Sequence, residues 1–331
     1  MGRLRRLHRL AQDAIEQYDL DEPLIEFHVF ETNLLYRVTT RSGTKYILRL
    51  ASPGWRTLSD LESESMWLDA LRRDTDIPVP RVIRTRSGDG VFPAAMPEVP
   101  TPWNATLMSW LPGRILGRYL STNNIEKLGR LFAQLHEHGA TWTPPSRFTK
   151  RRFEHWLSRG EPNLLIGNAS DAGPAIAATI PESHLELLWK VHTCVEEAYA
   201  EVERSDLRVI HCDLWHDNVK LRRGVLAPFD FEDTIWGFRA HDIAMAMLDL
   251  LEDTDDSRYP ALLAAFRRGY ESKLEWPNVA IEPFYLGRLL WIMNWTVRFR
   301  PDWLSNSVRK HVPIFENYFR TGTILQPNSF K

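Results

Sequence analysis

The stretch His211-Cys212-Asp213-Leu214-Trp215-His216-Asp217-Asn218 constrains this chain more than any other feature. It follows a strand-like Val209-Ile210, and it precedes a Arg222-Arg223-Gly224 turn and a second apolar run, Val225-Leu226-Ala227-Pro228-Phe229. Asp230-Phe231 comes directly after that run. A loop followed by a hairpin brings Asp213, Asn218 and Asp230 to one mouth. Phosphoryl transfer needs these parts at this spacing: one carboxylate to face an incoming hydroxyl, and an amide oxygen with a second carboxylate to hold a divalent cation on the phosphates. Asp213 alone reads as a turn cap, but the positions taken jointly favour phosphoryl transfer. A metal-hydrolase reading of His211, Asp213 and His216 leaves Asn218 and Asp230 without a part.

The 331 residues are enough for two lobes. A formal net charge of -2 does not suggest a nucleic-acid binder. Cys194 and Cys212 make no disulfide framework, which fits a reduced, cytoplasmic compartment. No run of about 18 apolar residues marks a membrane span. The basic start, Met1 to Leu10, lacks an apolar core for a secretory signal, and Arg6 stands where a myristoylation signal asks for Ser or Thr. Leu4, Leu7, Leu10, Ala11, Ala14 and Ile15 instead predict an amphipathic helix packed on the first lobe.

Strands are predicted at Ile25 to Phe30, Leu34 to Val38 and Lys45 to Leu50, with a turn at Arg41 to Thr44. A helix follows through Leu58, Leu61, Met66, Leu68 and Leu71, ending before Pro78. Arg81 to Pro102 suggests a hairpin, and Thr106 to Leu111 a short strand. Beyond that the pattern is mostly helical: Ile125 to His138, His184 to Arg204, His241 to Leu251, Tyr259 to Tyr270 and Phe284 to Phe299, with Asn163 to Pro181 loop-like. The expected class is α+β with two lobes. A small antiparallel-sheet lobe with one main helix covers 1–107, and a larger, mainly helical lobe covers 108–331.

The loop matches the H-x-D-L-x-x-x-N catalytic loop of protein kinases except that Cys212 replaces Arg. With Asp230-Phe231 and His241-Asp242, the chain resembles the aminoglycoside phosphotransferase-like and choline kinase-like superfamily, small-molecule kinases with a protein-kinase-like fold. That resemblance implies ATP and Mg²⁺, Asp213 as catalytic base, Asn218 and Asp230 as metal ligands, and Asp242 as a brace beneath the loop. It also implies a cation on the third strand, Arg49, and an acid on the following helix, Glu64. Asn33 would stand at the tip of a phosphate-covering loop, and Met108, Ser109, Trp110 and Leu111 would form the connector that meets adenine. Arg can hold phosphate and carboxylate together through its fork of donors. Solvent-facing Arg49 and Glu64 would be the plain alternative.

The acceptor expected from this resemblance is a small-molecule hydroxyl, on an amino alcohol, sugar or aminoglycoside-like compound. A bacterial stress-response Ser/Thr kinase shares the fold and is the alternative. The short segment 231–241 leaves no room for the long activation segment of other protein kinases, but the stress-response type likewise lacks one. A non-catalytic nucleotide-binding relative would lack the base, amide and metal acid that this chain keeps. His136 reads as a satisfied buried histidine, Cys212 as a small loop filler, and the run Glu252 to Asp256 as a solvated loop. Trp291 and Trp295, near Arg288, read as core or as a box for a substrate ammonium. Asp233 reads equally as a solvated charge or as a contact to metal or substrate.

Overall fold

The computed structural model describes residues 2–158, 160–166, 180–255 and 257–325. Two compact units emerge: Met1–Arg114 with Trp142–Lys150 and Lys220–Glu232, and Ile115–Thr141 with Arg151–Val219 and Asp233–Lys331. The fold is mixed α and β, with an antiparallel sheet in the N-terminal unit and helices dominating the other.

In the first unit β1 (Leu24–Phe30), β2 (Asn33–Thr39) and β3 (Lys45–Ala51) form an antiparallel meander. The short β4 (Val82–Ile83) and β5 (Phe92–Met96) both pair with β6 (Val99–Ser109), which completes the sheet against β3. The alternation of strand side chains sorts the residues onto two faces. Leu34, Tyr36, Leu48 and Leu50 are buried with Leu7, Leu10 and Ala14 of the amphipathic helix α1 (Arg3–Ile15). Leu35, Ile47 and Arg49 occupy the opposite face, with Leu35 and Arg49 directly paired. Helix α2 (Leu58–Asp74) starts at a reciprocal cap: Thr57 Oγ1 accepts from the Asp60 amide, and Asp60 accepts from the Thr57 amide. The hairpin Val219–Arg222 to Val225–Pro228 turns on Arg223 (φ 50°) and Gly224 (φ 82°). Two consecutive left-handed residues match the twist of the flanking strands.

The second unit contains α3 (Thr122–Thr141), α4 (Glu182–Glu201), α5 (Arg239–Glu252), α6 (Tyr259–Glu271), α7 (Glu282–Phe299) and α8 (Leu304–Thr321). The small strands Arg208–Ile210 and Ile235–Gly237 pair antiparallel, and loop 211–218 leaves from the end of the first. The helices read from periodicity are present within a few residues of their expected ends. The strand expected at Thr106–Leu111 is the end of a longer one that begins at Val99. Helix α8, which carries Pro313, was not anticipated. Most of the loop-like Asn163–Pro181 stretch, and Asp256 of the acidic run, lie outside the described residues.

Candidate active site

Within the first unit, Asn33, Arg49, Glu64, Met108, Ser109, Trp110 and Leu111 line one cavity together with Asp230. Arg49 is 2 % exposed and Glu64 likewise 2 %, so neither is a solvated surface charge. Arg49 donates from Nη1 to Glu64 Oε1 at 3.1 Å and from Nη2 to Glu64 Oε2, a bidentate fork. Burial alone would lower the guanidinium pKa, but Glu64, Glu232 and Asp230 raise it instead. The group therefore stays charged.

Glu232 is a participant that the sequence reading did not single out. Its Oε2 lies 3.7 Å from Arg49 Nη1 and accepts from Asn33 Nδ2 at 2.6 Å, while Oε1 accepts from Trp55 Nε1 at 2.9 Å. Burial pushes the Glu232 carboxyl up. Arg49, the Trp55 donor, Arg56 and the Asn33 donor outweigh that and hold it below its usual range. Its position directly after Asp230-Phe231 was the only available signal. A short 3₁₀ turn at Phe231–Asp233 carries it, and Trp67 packs edge-on against Phe231.

The connector has a defined hydrogen-bonding remainder. The Ser109 amide donates to Arg81 O and the Trp110 amide to Lys45 O. Pro112 has no N–H. Among the described residues the Leu111 amide makes no backbone hydrogen bond, so it is the free main-chain donor of this segment. Asp230 is exposed and adopts φ 64°. Its carboxylate is a hard oxygen donor of the kind that suits a small divalent cation.

In the second unit the loop 211–218 is tied from several sides. Asn218 Nδ2 donates to Asp213 O at 2.8 Å and to Asp213 Oδ2 at 3.0 Å. Two acceptors on one side fix the amide orientation and leave the Asn218 Oδ1 as a second hard oxygen. Cys212 carries the left-handed φ of 64° that turns the chain before Asp213. Its amide donates to Asp242 Oδ1 at 2.7 Å, and Asp242 Oδ2 meets His136 Nε2 at 3.0 Å. His136 Nδ1 bonds to the Tyr270 hydroxyl at 2.9 Å, so both ring nitrogens of this fully buried histidine are used. Burial raises the Asp242 carboxyl, but His136, His211 and the Cys212 amide bring it below its usual range.

His216 is buried, with Nε2 2.9 Å from Asp253 Oδ2. Among the described residues no group of three His, Cys, Asp or Glu side chains is arranged to hold a metal, and the His211-Asp213-His216 alternative has no geometry behind it. Trp291 has the Arg288 guanidinium over its ring at 4.4 Å and donates to Glu161, so a protein cation covers that face. Trp295 packs against Phe299. Asp233 is buried rather than a solvated charge. No helix among the described residues is long and apolar enough to cross a membrane.

Known proteins resemble this chain in sequence and in fold. A homoserine kinase of Pseudomonas aeruginosa (strain LESB58) is 31% identical over 261 residues, 74% of each chain. The structure of a microcompartment-associated aminopropanol kinase aligns with a TM-score of 0.77 at 23% identity, covering 96% of this chain and 99% of the other. Amicoumacin kinase, solved in complex with AMP-PNP and Ca²⁺, aligns with a TM-score of 0.76 at 16% identity over 99% of both chains. The model of the phosphotransferase enzyme family matches residues 25–280. The chain belongs to the phosphotransferase enzyme family, and it is a kinase with a hydroxyl acceptor.

Proposed function

We propose that the protein transfers the γ-phosphate of ATP to a hydroxyl of a small molecule, with L-homoserine and short amino alcohols as the first acceptors to try. The observation that carries this reading is the cavity in which the buried Arg49–Glu64 fork, the free Leu111 amide and Asp230 lie together. Arg49 stays charged and offers donors to phosphate oxygens. Glu64 orients it, and Glu232 ties the Asn33 tip to the same spot. The Leu111 amide donates to the adenine ring. Asp213, oriented by Asn218 Nδ2, accepts the proton of the acceptor hydroxyl. Asn218 Oδ1 and the Asp230 carboxylate are the oxygens that would hold Mg²⁺. When bound, that ion neutralises charge developing on the phosphates.

Asp242 holds the Cys212 amide and so sets the backbone that presents Asp213. The short 231–241 segment, which includes the Ile235–Gly237 strand, supports a small acceptor over a docked peptide. An ATP-consumption screen tests this, with L-homoserine, 1-amino-2-propanol, choline, an aminoglycoside and a general protein acceptor. Turnover with a small alcohol that vanishes in Asp213→Asn supports the reading. Turnover with the protein acceptor alone would replace it.

A further inference from the structure

Helix α5 lays a stripe of side chains along loop 211–218. Asp242 takes the Cys212 amide, Met245 Sδ lies 4.0 Å from the Cys212 sulfur, and Asp253 takes His216 Nε2. Asp249 is seven positions after Asp242 and four before Asp253, so it falls on the same helical face. Its neighbours on the stripe are all engaged with the loop. Asp249 makes no side-chain hydrogen bond and no ion pair within 4 Å among the described residues, yet it is close enough to Asp213 for the two carboxylates to repel. Burial, with Asp213, Glu252 and Asp253, pushes its carboxyl up to about 7 against the pull of Arg288.

Arg288, on α7, is equally unfinished. Its guanidinium rests on Trp291, which fixes its plane, and its Nε is buried with no hydrogen-bond partner. The two opposite charges feel one another, but they do not close into an ion pair. Leaving a carboxylate and a guanidinium partly buried and unclosed is costly. A ligand with an ammonium for one and a carboxylate for the other would remove that cost. Asp213 near Asp249, read as the catalytic carboxylate, then selects a ligand that also carries a hydroxyl.

We propose that Asp249 and Arg288 form the acceptor subsite, reading a small hydroxylated α-amino acid as a zwitterion, ammonium on Asp249 and carboxylate on Arg288, with its side-chain hydroxyl at Asp213. This rests on the reading of Asp213 as the base that receives the hydroxyl proton.

The test compares three acceptors: L-homoserine, 3-amino-1-propanol, which lacks only the carboxylate, and 4-hydroxybutyrate, which lacks only the ammonium. Each is assayed for turnover, and L-homoserine also by calorimetric titration, which needs no turnover. Wild type should prefer L-homoserine by about a hundredfold in kcat/KM over either half-molecule, since removing one partner of a buried charge pair typically has that effect. Asp249→Asn should lose that preference over 4-hydroxybutyrate, and Arg288→Gln should lose it over 3-amino-1-propanol, each through KM. Asp249→Glu and Arg288→Lys keep the charge and serve where a neutral variant does not fold. Their losses should be smaller.

Equal loss with all three acceptors in both variants would overturn the inference, as would L-homoserine binding that neither variant weakens. Turnover of other alcohols without any binding of L-homoserine overturns the inference but leaves the kinase reading standing. L-homoserine binding that needs both residues, with no phosphate transferred to any alcohol, supports the subsite and sinks the kinase reading.

Discussion

Arg49 faces two buried carboxylates, Glu64 and Glu232, with a third, Asp230, adding to the field. Removing the cation therefore does more than weaken the phosphate binding proposed for it, because it strands the carboxylates. Arg49→Ala should destabilise the first unit by about 3–5 kcal/mol, the usual result of breaking a buried pair from one side. It should also abolish nucleotide binding. Arg49→Lys restores the charge but cannot span both Glu64 oxygens while facing Glu232. It should recover most of the stability and only part of the nucleotide affinity. Thermal denaturation and nucleotide titration, run side by side, separate the two effects, and an Arg49→Ala protein that melts like wild type would refute the pairing. The Arg49–Glu64 partnership was legible because residue type, element order and spacing all agreed. Glu232 was not, because nothing in an Asp-Phe-Glu string shows that a single 3₁₀ turn swings the third residue back onto Arg49 and Asn33. Asp249 escaped for the opposite reason. Its stripe on α5 exists only in relation to a loop that precedes the helix in the chain.

At the scale of elements, α3 and α6 meet at glycines whose role the composition cannot reveal. A Cβ on Gly129 would land on the Phe266 carbonyl oxygen, and one on Gly269 on the Glu126 carbonyl oxygen. Each helix thus approaches the other's backbone through a missing side chain, and in both cases the obstruction is main chain that cannot rotate away. Gly129→Ala and Gly269→Ala should each cost about 1–3 kcal/mol despite the better helix propensity of alanine. Denaturant midpoints at unchanged slope would measure this, and a stabilising alanine at either site would contradict the close crossing. The same crossing carries His136 and Tyr270, so the helix pair also supports the Asp242 brace under loop 211–218. The helices themselves were readable from apolar periodicity because their buried faces are continuous. Helix α8 was not, since Pro313 interrupts it and proline normally ends such a pattern. The early part of β6 was hidden by Pro100 and Pro102, which a strand tolerates where their missing amides face away from the ladder.

For the molecule as a whole, the response to pH is a sum of opposed terms, and the sign of each follows from where its folded pKa sits. Burial lowers His311 from its ordinary value to about 3, with Lys310 adding to the effect, so the folded state keeps it neutral. Its stabilising contribution is intact above about pH 6.5, the unfolded value, and is lost progressively as pH falls toward 3, because only the unfolded chain takes up the proton. His136, lowered first by its burial, works in the same direction. Asp249 works the other way. Its carboxyl is raised to about 7, so it favours the folded state in acid and loses that contribution as pH climbs through 7. The net curve of the wild type therefore isolates no single group, whereas a difference curve does. His311→Gln keeps a polar side chain near Ser307, the partner of His311 Nδ1 at 3.2 Å, without a titrating ring. Relative to wild type, the variant should gain about 2 kcal/mol of stability on going from pH 7 to pH 5, since each pH step below the unfolded value is worth about 1.4 kcal/mol. Urea unfolding at the two pH values measures it. A stability difference that stays constant between them would mean that His311 takes up its proton in the folded protein as readily as in the unfolded chain.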